Sequence, residues 1–228
     1  MNKNVIGADH EFHDESFAQG WADRFVPTPE RISLFNLILS EIQCTVKTDS
    51  CVVELGIGPG YLANHILSAM PNINYIGIDF SQPMLAIASK RLRQYSKRLA
   101  LVWADLIHDN WQSNFNQPIH AVISTWALHD LGTQGNIFTV YDKSYQALTE
   151  GGIFLNGDFI KPDKTNHAFE GGRFETGKHI EMLNKIGFIN PTCIELFEIE
   201  KNNPTPAQNY ACLKAIKFVL VAKQAIHI

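Results

Sequence analysis

The sequence lacks any run of about 20 apolar residues, the length that a helix needs to cross a membrane. We therefore expect no membrane-spanning segment. The first 17 residues, MNKNVIGADHEFHDESF, hold one lysine and four acidic residues and no apolar core. This composition is unlike a signal or transit peptide, and we expect a cytoplasmic protein.

Cysteine and positive charge are both scarce. The four cysteines form no CxxC pair, so the sequence predicts no metal or thiol-redox site and favours a reducing compartment. Lysine and arginine total 19 against 23 aspartate and glutamate residues, which gives a net charge of −4. Nucleic-acid-binding domains are normally basic, so nucleic acid is not an expected partner.

From residue 51 onward, short apolar runs alternate with helical patterns. Strands that alternate with helices at this spacing indicate parallel βαβ units. We predict an α/β fold, Rossmann-like and doubly wound, with a mostly parallel seven-stranded sheet and helices on both faces. The first five predicted strands are CVVELG, INYIGID, LALVWAD, IHAVIST and GIFLNGDF, with helices over 61–70, 81–98 and 133–149.

The two ends of the chain have their own patterns. Residues 1–45 predict a helical cap, in which Thr28 and Pro29 mark the start of a long helix. Residues 46–228 form one further structural unit. Its last part predicts a helix over 173–186, an edge or antiparallel strand in CIELFEIE, and a final strand at about 210–217. FVLVAK competes for that last strand.

A glycine-rich segment, Glu54-Leu55-Gly56-Ile57-Gly58-Pro59-Gly60, follows the first predicted strand. Glycines let the chain turn tightly and let a ligand approach the backbone, and the next helix points its first amides at the same place. A dinucleotide-binding fingerprint requires GxGxxG, but its third glycine would fall at Tyr61. This mismatch counts against a nicotinamide-dependent oxidoreductase.

The ExGxGxG spacing, with an acidic residue ending the next strand, resembles the class I S-adenosylmethionine (SAM)-dependent methyltransferases, of the small-molecule type 11 or 12. The resemblance covers roughly residues 50–200 and implies a SAM-binding domain over 46–228. It also implies methyl transfer from SAM to a small-molecule acceptor by in-line displacement, with S-adenosylhomocysteine (SAH) as product. Its motifs are, in order, VVELGIGPGYLA, YIGIDFSQPMLAIA, LVWADL, AVISTWALHDL and LTEGGIFLNGDF.

Asp79 ends the second predicted strand, where a carboxylate can accept both hydroxyls of a ribose. The resemblance implies the same role. The alternative is an acid that caps the next helix, for which Ser81 is better placed. The resemblance also implies that Phe80 and Met84 cover the adenine, although Met84 equally suits the core.

The remaining predicted cofactor contacts surround the glycine loop. Asp105 would accept the adenine amine, with an exposed turn as the alternative. Glu54 is a carboxylate in an apolar strand and would lie near the methionine end of SAM, either touching its ammonium or ordering the loop. Ser124 and Thr125 end the fourth strand, where their backbone carbonyls could accept that ammonium. The three loop glycines Gly56, Gly58 and Gly60 complete the set.

The segment Trp126–Asp130 follows the fourth strand and faces the acceptor in enzymes of this kind. His129 is the candidate general base because imidazole titrates near neutral pH. The alternative is a histidine that packs structurally or caps a helix. The segment is not the NPPY type of nucleic-acid amino methyltransferases. His167, Arg173 and His179 are weaker candidates that we expect to be solvated.

The N-terminal 25 residues are predicted to cover the site. Trp21, Arg24 and Phe25 precede the helix start at Thr28, and Arg24 could balance the carboxylate of SAM. The alternative is that the two aromatic residues pack on the back of the sheet.

Other functions stay open at this point, namely a non-catalytic SAM-binding or regulatory module and a protein or RNA methyltransferase. The sequence is compatible with a monomer or a homodimer.

Overall fold

The computed structural model describes residues 10–113 and 115–218. Its centre is a single seven-stranded sheet in the order β3-β2-β1-β4-β5-β7-β6. Of the seven described strands, six run in one direction and β7 runs in the opposite direction, so the predicted mostly parallel sheet is confirmed. The strands are β1 Cys51–Leu55, β2 Asn74–Asp79, β3 Leu99–Trp103, β4 Ile119–Thr125, β5 Leu148–Phe159, β6 Phe188–Phe197 and β7 Tyr210–Lys217.

Helices cover both faces of the sheet. Consecutive residues of β1 point to opposite faces, so Val52 joins the core beneath α2, α3 and α4, and Val53 joins the core beneath α5 and α6. Burial on both faces explains the nearly continuous apolar sequence of β1. The helices are α1 Glu15–Arg24, α2 Pro29–Thr45, α3 Tyr61–Ala69, α4 Gln82–Arg91, α5 Gln134–Ala147 and α6 Thr176–Ile186.

Several predicted boundaries hold. The Thr28 side chain accepts from the backbone N–H of Arg31, and Pro29 lies in the first turn of α2. The last described strand occupies residues 210–217 as predicted, and most of the competing FVLVAK segment lies outside the described residues. The division into a cap over 1–45 and a unit over 46–228 stays a prediction. Among the described residues, no helix combines the length and apolar character needed to cross a membrane.

The predicted helix over 81–98 is too long, because α4 ends at Arg91 and a 3-10 turn follows. The cause is tertiary, since the Arg98 guanidinium donates to the carbonyls of Leu67 and Met70 at the end of α3. β6 begins earlier than predicted, at Phe188, because its pairing with β7 continues past a register shift between Ile189 and Thr192.

A buried lysine on α5 organises the loop that follows β3. Lys143 is 9% exposed, and its ammonium donates to the backbone carbonyls of Leu106, Ile107 and Asp109 at 3.3, 2.6 and 2.7 Å. Buried carbonyls without a donor are costly, and this single cation satisfies three of them. The lysine therefore holds the loop in place beside the end of the sheet.

We expect the Lys143→Met variant to lose about 2 kcal/mol of unfolding free energy, because it keeps the stem but removes a charged donor to three carbonyls. Urea unfolding monitored by circular dichroism measures this loss. Lys178→Met is the control, since that lysine forms only an exposed pair with Glu181 and should change stability by less than about 0.5 kcal/mol. Equal losses in the two variants would contradict this role for Lys143.

Candidate active site

The three glycines of the loop after β1 all adopt positive φ, with values of 67°, 51° and 81° for Gly56, Gly58 and Gly60. A Cβ added to Gly56 would lie 2.4 Å from the Cβ of Ala127, and one on Gly60 would lie 2.9 Å from Leu92. A Cβ on Gly58 would meet no atom within 4 Å. Packing thus requires two of the glycines, and the third faces open space.

That open space belongs to a cavity at the end of the sheet, which we call the glycine-loop cavity. It contains about 860 Å³ of space between protein atoms, including its opening to solvent. The structure brings together here most of the residues predicted to bind the cofactor. They are Trp21, Glu54, Gly56, Gly58, Asp79, Phe80, Met84 and Asp105.

Three predicted residues lie elsewhere. Gly60 packs against Leu92, and Ser124 is fully buried, with its hydroxyl donating to the carbonyl of Leu55 at 2.9 Å. Thr125, the next residue, lines the cavity instead. Arg24 is exposed to solvent and, within residues 10–113 and 115–218, lies outside the lining of the cavity. Its predicted contact with a ligand carboxylate therefore has no geometric support.

The Asp79 carboxylate accepts from the backbone N–H of Gly58 at 2.8 Å and of Ser81 at 2.9 Å, one bond to each oxygen. Burial raises the pKa of Asp79 to about 6, although these amides counteract it. Ser81, and not Asp79, caps α4, because its hydroxyl accepts from the Met84 N–H. Each carboxylate oxygen keeps a second lone pair that can accept from a ligand hydroxyl.

Glu54 is fully buried and lies beside the same cavity. Its Oε2 accepts from the Tyr75 hydroxyl at 2.7 Å. Burial raises the pKa of Glu54 to about 8, and the nearby charge of Asp79 adds to that increase, against the hydrogen bond from Tyr75. A positive charge on a bound ligand would favour the ionised form of this buried carboxyl and lower its pKa.

Asp105 both stabilises a turn and lines the glycine-loop cavity. Its side chain forms a turn, accepting from the N–H groups of Ile107 and His108 and pairing with the His108 ring at 2.9 Å. Burial opposes ionisation of Asp105, but these bonds outweigh it and lower its pKa. The residue also lines the glycine-loop cavity.

Aromatic side chains from the N-terminal segment cover this cavity. Trp21 stacks on Phe25 with 4.3 Å between ring centroids, and Phe12 meets the edge of Trp21 at 5.4 Å. The backbone carbonyl of Phe12 accepts from the Ser81 hydroxyl at 2.5 Å, which ties the segment to the start of α4. All three rings line the cavity, so they do not pack on the back of the sheet.

A second cavity adjoins the first, and we call it the outer cavity. The two share the residues Phe12, Trp21, Phe25, Trp126 and Asp130. The outer cavity also contains His10, Arg31, His129, Phe159, Glu170 and Arg173 in its lining.

His129 lies in the wall of the outer cavity and is held by two carboxylates. Asp158 accepts from the His129 backbone N–H at 2.9 Å, and its other oxygen lies 2.8 Å from Nδ1. Nε2 lies 3.2 Å from an oxygen of Asp130. Burial lowers the pKa of His129, but the charges of Asp158 and Asp130 outweigh it and raise the pKa above its usual value.

Sequence reasoning missed Asp158 and assigned no role to Asp130. A signal for Asp158 existed, because it is an acidic residue near the carboxyl end of the otherwise apolar β5. The expectation that Arg173 and His179 are solvated is wrong. Arg173 is buried against Phe159 and donates to the Pro206 and Gln208 carbonyls. His179 is buried beneath the sheet beside Tyr141, and burial lowers its pKa to about 4.

Comparison with known proteins finds a matching family model. Residues 53–154, which run from β1 into β5 and include the glycine loop, match the model of a methyltransferase domain. This match covers a little less than half of the chain and agrees with the family that the sequence motifs predicted.

Individual relatives agree with this assignment. The chain is 29% identical over 99 residues to the release factor glutamine methyltransferase of Buchnera aphidicola subsp. Schizaphis graminum, which covers 43% of this chain and 34% of that protein. The chain therefore matches about a third of the length of this curated relative.

Solved structures share the fold of the domain. Human N-acetylserotonin methyltransferase, in complex with SAM, gives a TM-score of 0.67 at 14% identity over 94% of this chain and 61% of that chain. Phosphoethanolamine N-methyltransferase 2 of Haemonchus contortus, also in complex with SAM, gives a TM-score of 0.69 at 16% identity over 94% of this chain and 61% of that chain. These likenesses confirm the predicted Rossmann-like class.

The raised pKa of Glu54 predicts that stability falls with pH. Between the ordinary value of 4.5 and about 8, folded Glu54 retains a proton that the unfolded chain has released. The free energy of unfolding should therefore decrease as pH rises, on the order of 1 kcal/mol per pH unit.

Glu54→Gln should flatten this dependence between pH 6 and about 8, because the amide still accepts from Tyr75 but does not titrate. Urea unfolding at several pH values measures the slope, with the exposed Glu181→Gln as the control. A slope that is the same in both variants would show that Glu54 does not cause it.

Proposed function

We propose that this protein transfers the methyl group of SAM to a small-molecule acceptor that loses a proton from the attacked heteroatom. The observation that carries the proposal is the outer cavity, which adjoins the glycine-loop cavity and has in its wall His129, whose ring pairs with the buried Asp158. One cavity would hold the cofactor and the other the acceptor, with Trp126 and Asp130 at their common boundary.

The glycine-loop cavity fits SAM on several counts. Gly58 leaves room where a side chain would intrude, and Asp79 has lone pairs free for the ribose hydroxyls. Glu54 supplies a buried carboxyl next to a ligand that carries an ammonium and a sulfonium. Phe80 and Met84 offer apolar surface for the adenine.

When bound, SAM supplies an electrophilic methyl group whose carbon–sulfur bond breaks to leave neutral SAH. The contribution of the protein is alignment, since the acceptor in the outer cavity must approach that methyl in line. The acceptor heteroatom forms the new bond to carbon, and its proton passes to Nε2 of the neutral His129 ring, where the Asp130 carboxylate 3.2 Å away also stabilises the charged ring. Asp158 holds the ring through Nδ1 and stabilises the imidazolium that results.

A small-molecule acceptor suits the aromatic lining of the site. Phe12, Trp21 and Phe25 line both cavities, so aromatic side chains of the N-terminal segment lie where the acceptor would meet the cofactor. The similar proteins include a protein-glutamine methyltransferase and methyltransferases named for N-acetylserotonin and phosphoethanolamine. The aromatic lining favours the small-molecule class.

We expect the Asp79→Ala variant to bind SAM more weakly by about 1.5–3 kcal/mol, because it loses a charged acceptor for two hydroxyls. Titration calorimetry with SAM, SAH and NAD measures the affinities. Asp142→Ala, on the exposed side of α5, is the matched control and should bind as the wild type does. Unchanged SAM affinity in Asp79→Ala, or wild-type affinity for NAD equal to that for SAM, would contradict the cofactor assignment.

His129→Ala should lower the rate of methyl transfer by on the order of 10²-fold or more while leaving SAM affinity intact. The rate should rise with pH as His129 loses its proton, with a midpoint above the ordinary value of 6.5. Asp158→Asn should move that midpoint to lower pH, because it removes a charge that raises the His129 pKa. A structural role alone would not shift the midpoint.

A SAM-consumption assay over a panel of hydroxylated and amino compounds supplies the activity for these profiles. His167→Ala is the control, because His167 is exposed and, among the described residues, lies outside the lining of both cavities. SAM binding without methyl transfer to any compound would favour a non-catalytic SAM-binding module.

A further inference from the structure

Arg31, in the first turns of α2, carries an unused positive charge in the outer cavity. Its guanidinium carbon lies over the Phe25 ring at 3.7 Å from the centroid and lies 5.3 Å from the centroid of the Trp126 ring. Within residues 10–113 and 115–218, this guanidinium makes no hydrogen bond and no ion pair. Burial lowers the pKa of Arg31, and the charges of Tyr210 and Glu198 act against that decrease without forming an ion pair or hydrogen bond with the guanidinium.

The other charged residues around the outer cavity already have electrostatic neighbours. Glu170 pairs with Arg173, and Asp130 pairs with His129. Glu11 and Asp130 both act on His10. Arg173 is ion-paired, so Arg31 is the guanidinium of this lining that has no hydrogen bond or ion pair among the described residues.

Two hydrogen-bond donors without acceptors also lie near Arg31. The indole N–H of Trp126 and the hydroxyl of Tyr210 are buried and have no hydrogen-bond partner among the described residues. These two rings pack against each other with centroids 5.5 Å apart, and Trp126 is held at an unusual φ of 47°. A region with an unpaired guanidinium and two unpaired donors is electrostatically suited to an anion.

The Arg31 guanidinium makes no hydrogen bond among the described residues, so its N–H donors are available. The five N–H donors of arginine lie in the plane of the group, and two of them match the oxygens of a carboxylate. The rings of Phe12, Trp21, Phe25 and Phe159 line the same cavity and make its wall largely aromatic. The cavity thus combines a carboxylate-binding fork with walls that suit a planar ring.

We propose that Arg31 binds a carboxylate of the methyl acceptor and that the acceptor is a planar aromatic acid. This inference rests on the proposed function, because it assigns the outer cavity to the acceptor. The methionine carboxylate of SAM is the competing source of the same chemistry. Arg31 lines the outer cavity and, among the described residues, is absent from the lining of the glycine-loop cavity, which favours the acceptor.

The experiment measures binding of matched acids and esters to the SAH-saturated protein by calorimetry. The probes are 4-hydroxybenzoate, 4-hydroxycinnamate and indole-3-carboxylate, each with its methyl ester. We expect the wild type to bind at least one acid about tenfold or more tightly than its ester. Arg31→Gln should remove this preference, and Arg31→Lys should keep part of it. Arg24→Gln is the matched control and should behave as the wild type.

The outcomes separate the two proposals. Failure of the wild type to bind SAM or SAH overturns the proposed function and this inference together. Normal SAH binding without a preference for any acid over its ester overturns only this inference.

A third outcome assigns the guanidinium to the cofactor. In that case Arg31→Gln weakens the binding of SAM but not of decarboxylated SAM, and the acceptor proposal is overturned.

Discussion

The buried carboxylate of Asp79 is the constraint on which the site depends. It receives the backbone amides of Gly58 and Ser81, so one side chain joins the turn after β1 to the turn after β2. Neighbouring parallel strands end at the same edge of the sheet, which brings these turns together. Ser81 then caps α4 and reaches the Phe12 carbonyl, which extends the same connection to the N-terminal cover.

A second buried carboxylate, Asp158, has the corresponding role on the other half of the sheet. It joins the carboxyl end of β5 to the segment after β4 by accepting from both the backbone and the ring of His129. The two acids lie on strands β2 and β5, on opposite sides of β1 and β4. Burial makes each charge costly unless it is bonded, so each acid also fixes the geometry of its turns.

The sequence predicted the residues whose roles depend on neighbours along the chain. Thr28 and Pro29 mark the start of α2, the glycines define the loop, and Asp79 follows a recognisable strand. The sequence-based predictions were wrong where segments that are distant in the chain meet. Arg98 shortens α4 through bonds to α3, and Arg24 points to solvent although it lies between two cavity residues. Helix periodicity places Trp21 and Phe25 one turn apart, and Arg24 falls on another face.

The sequence by itself determined the fold class and the family, because alternating strands and helices and five ordered motifs are local patterns. Only the tertiary structure decided which charges are partnered. Asp158 pairs with His129 across 29 residues, and the Arg31 guanidinium lies over Phe25 with no hydrogen bond or ion pair among the described residues. Burial and pairing depend on how helices and strands pack together, and that packing involves residues that are far apart in the chain. For that reason the outer cavity, and with it the choice of acceptor, could not be read from the motifs.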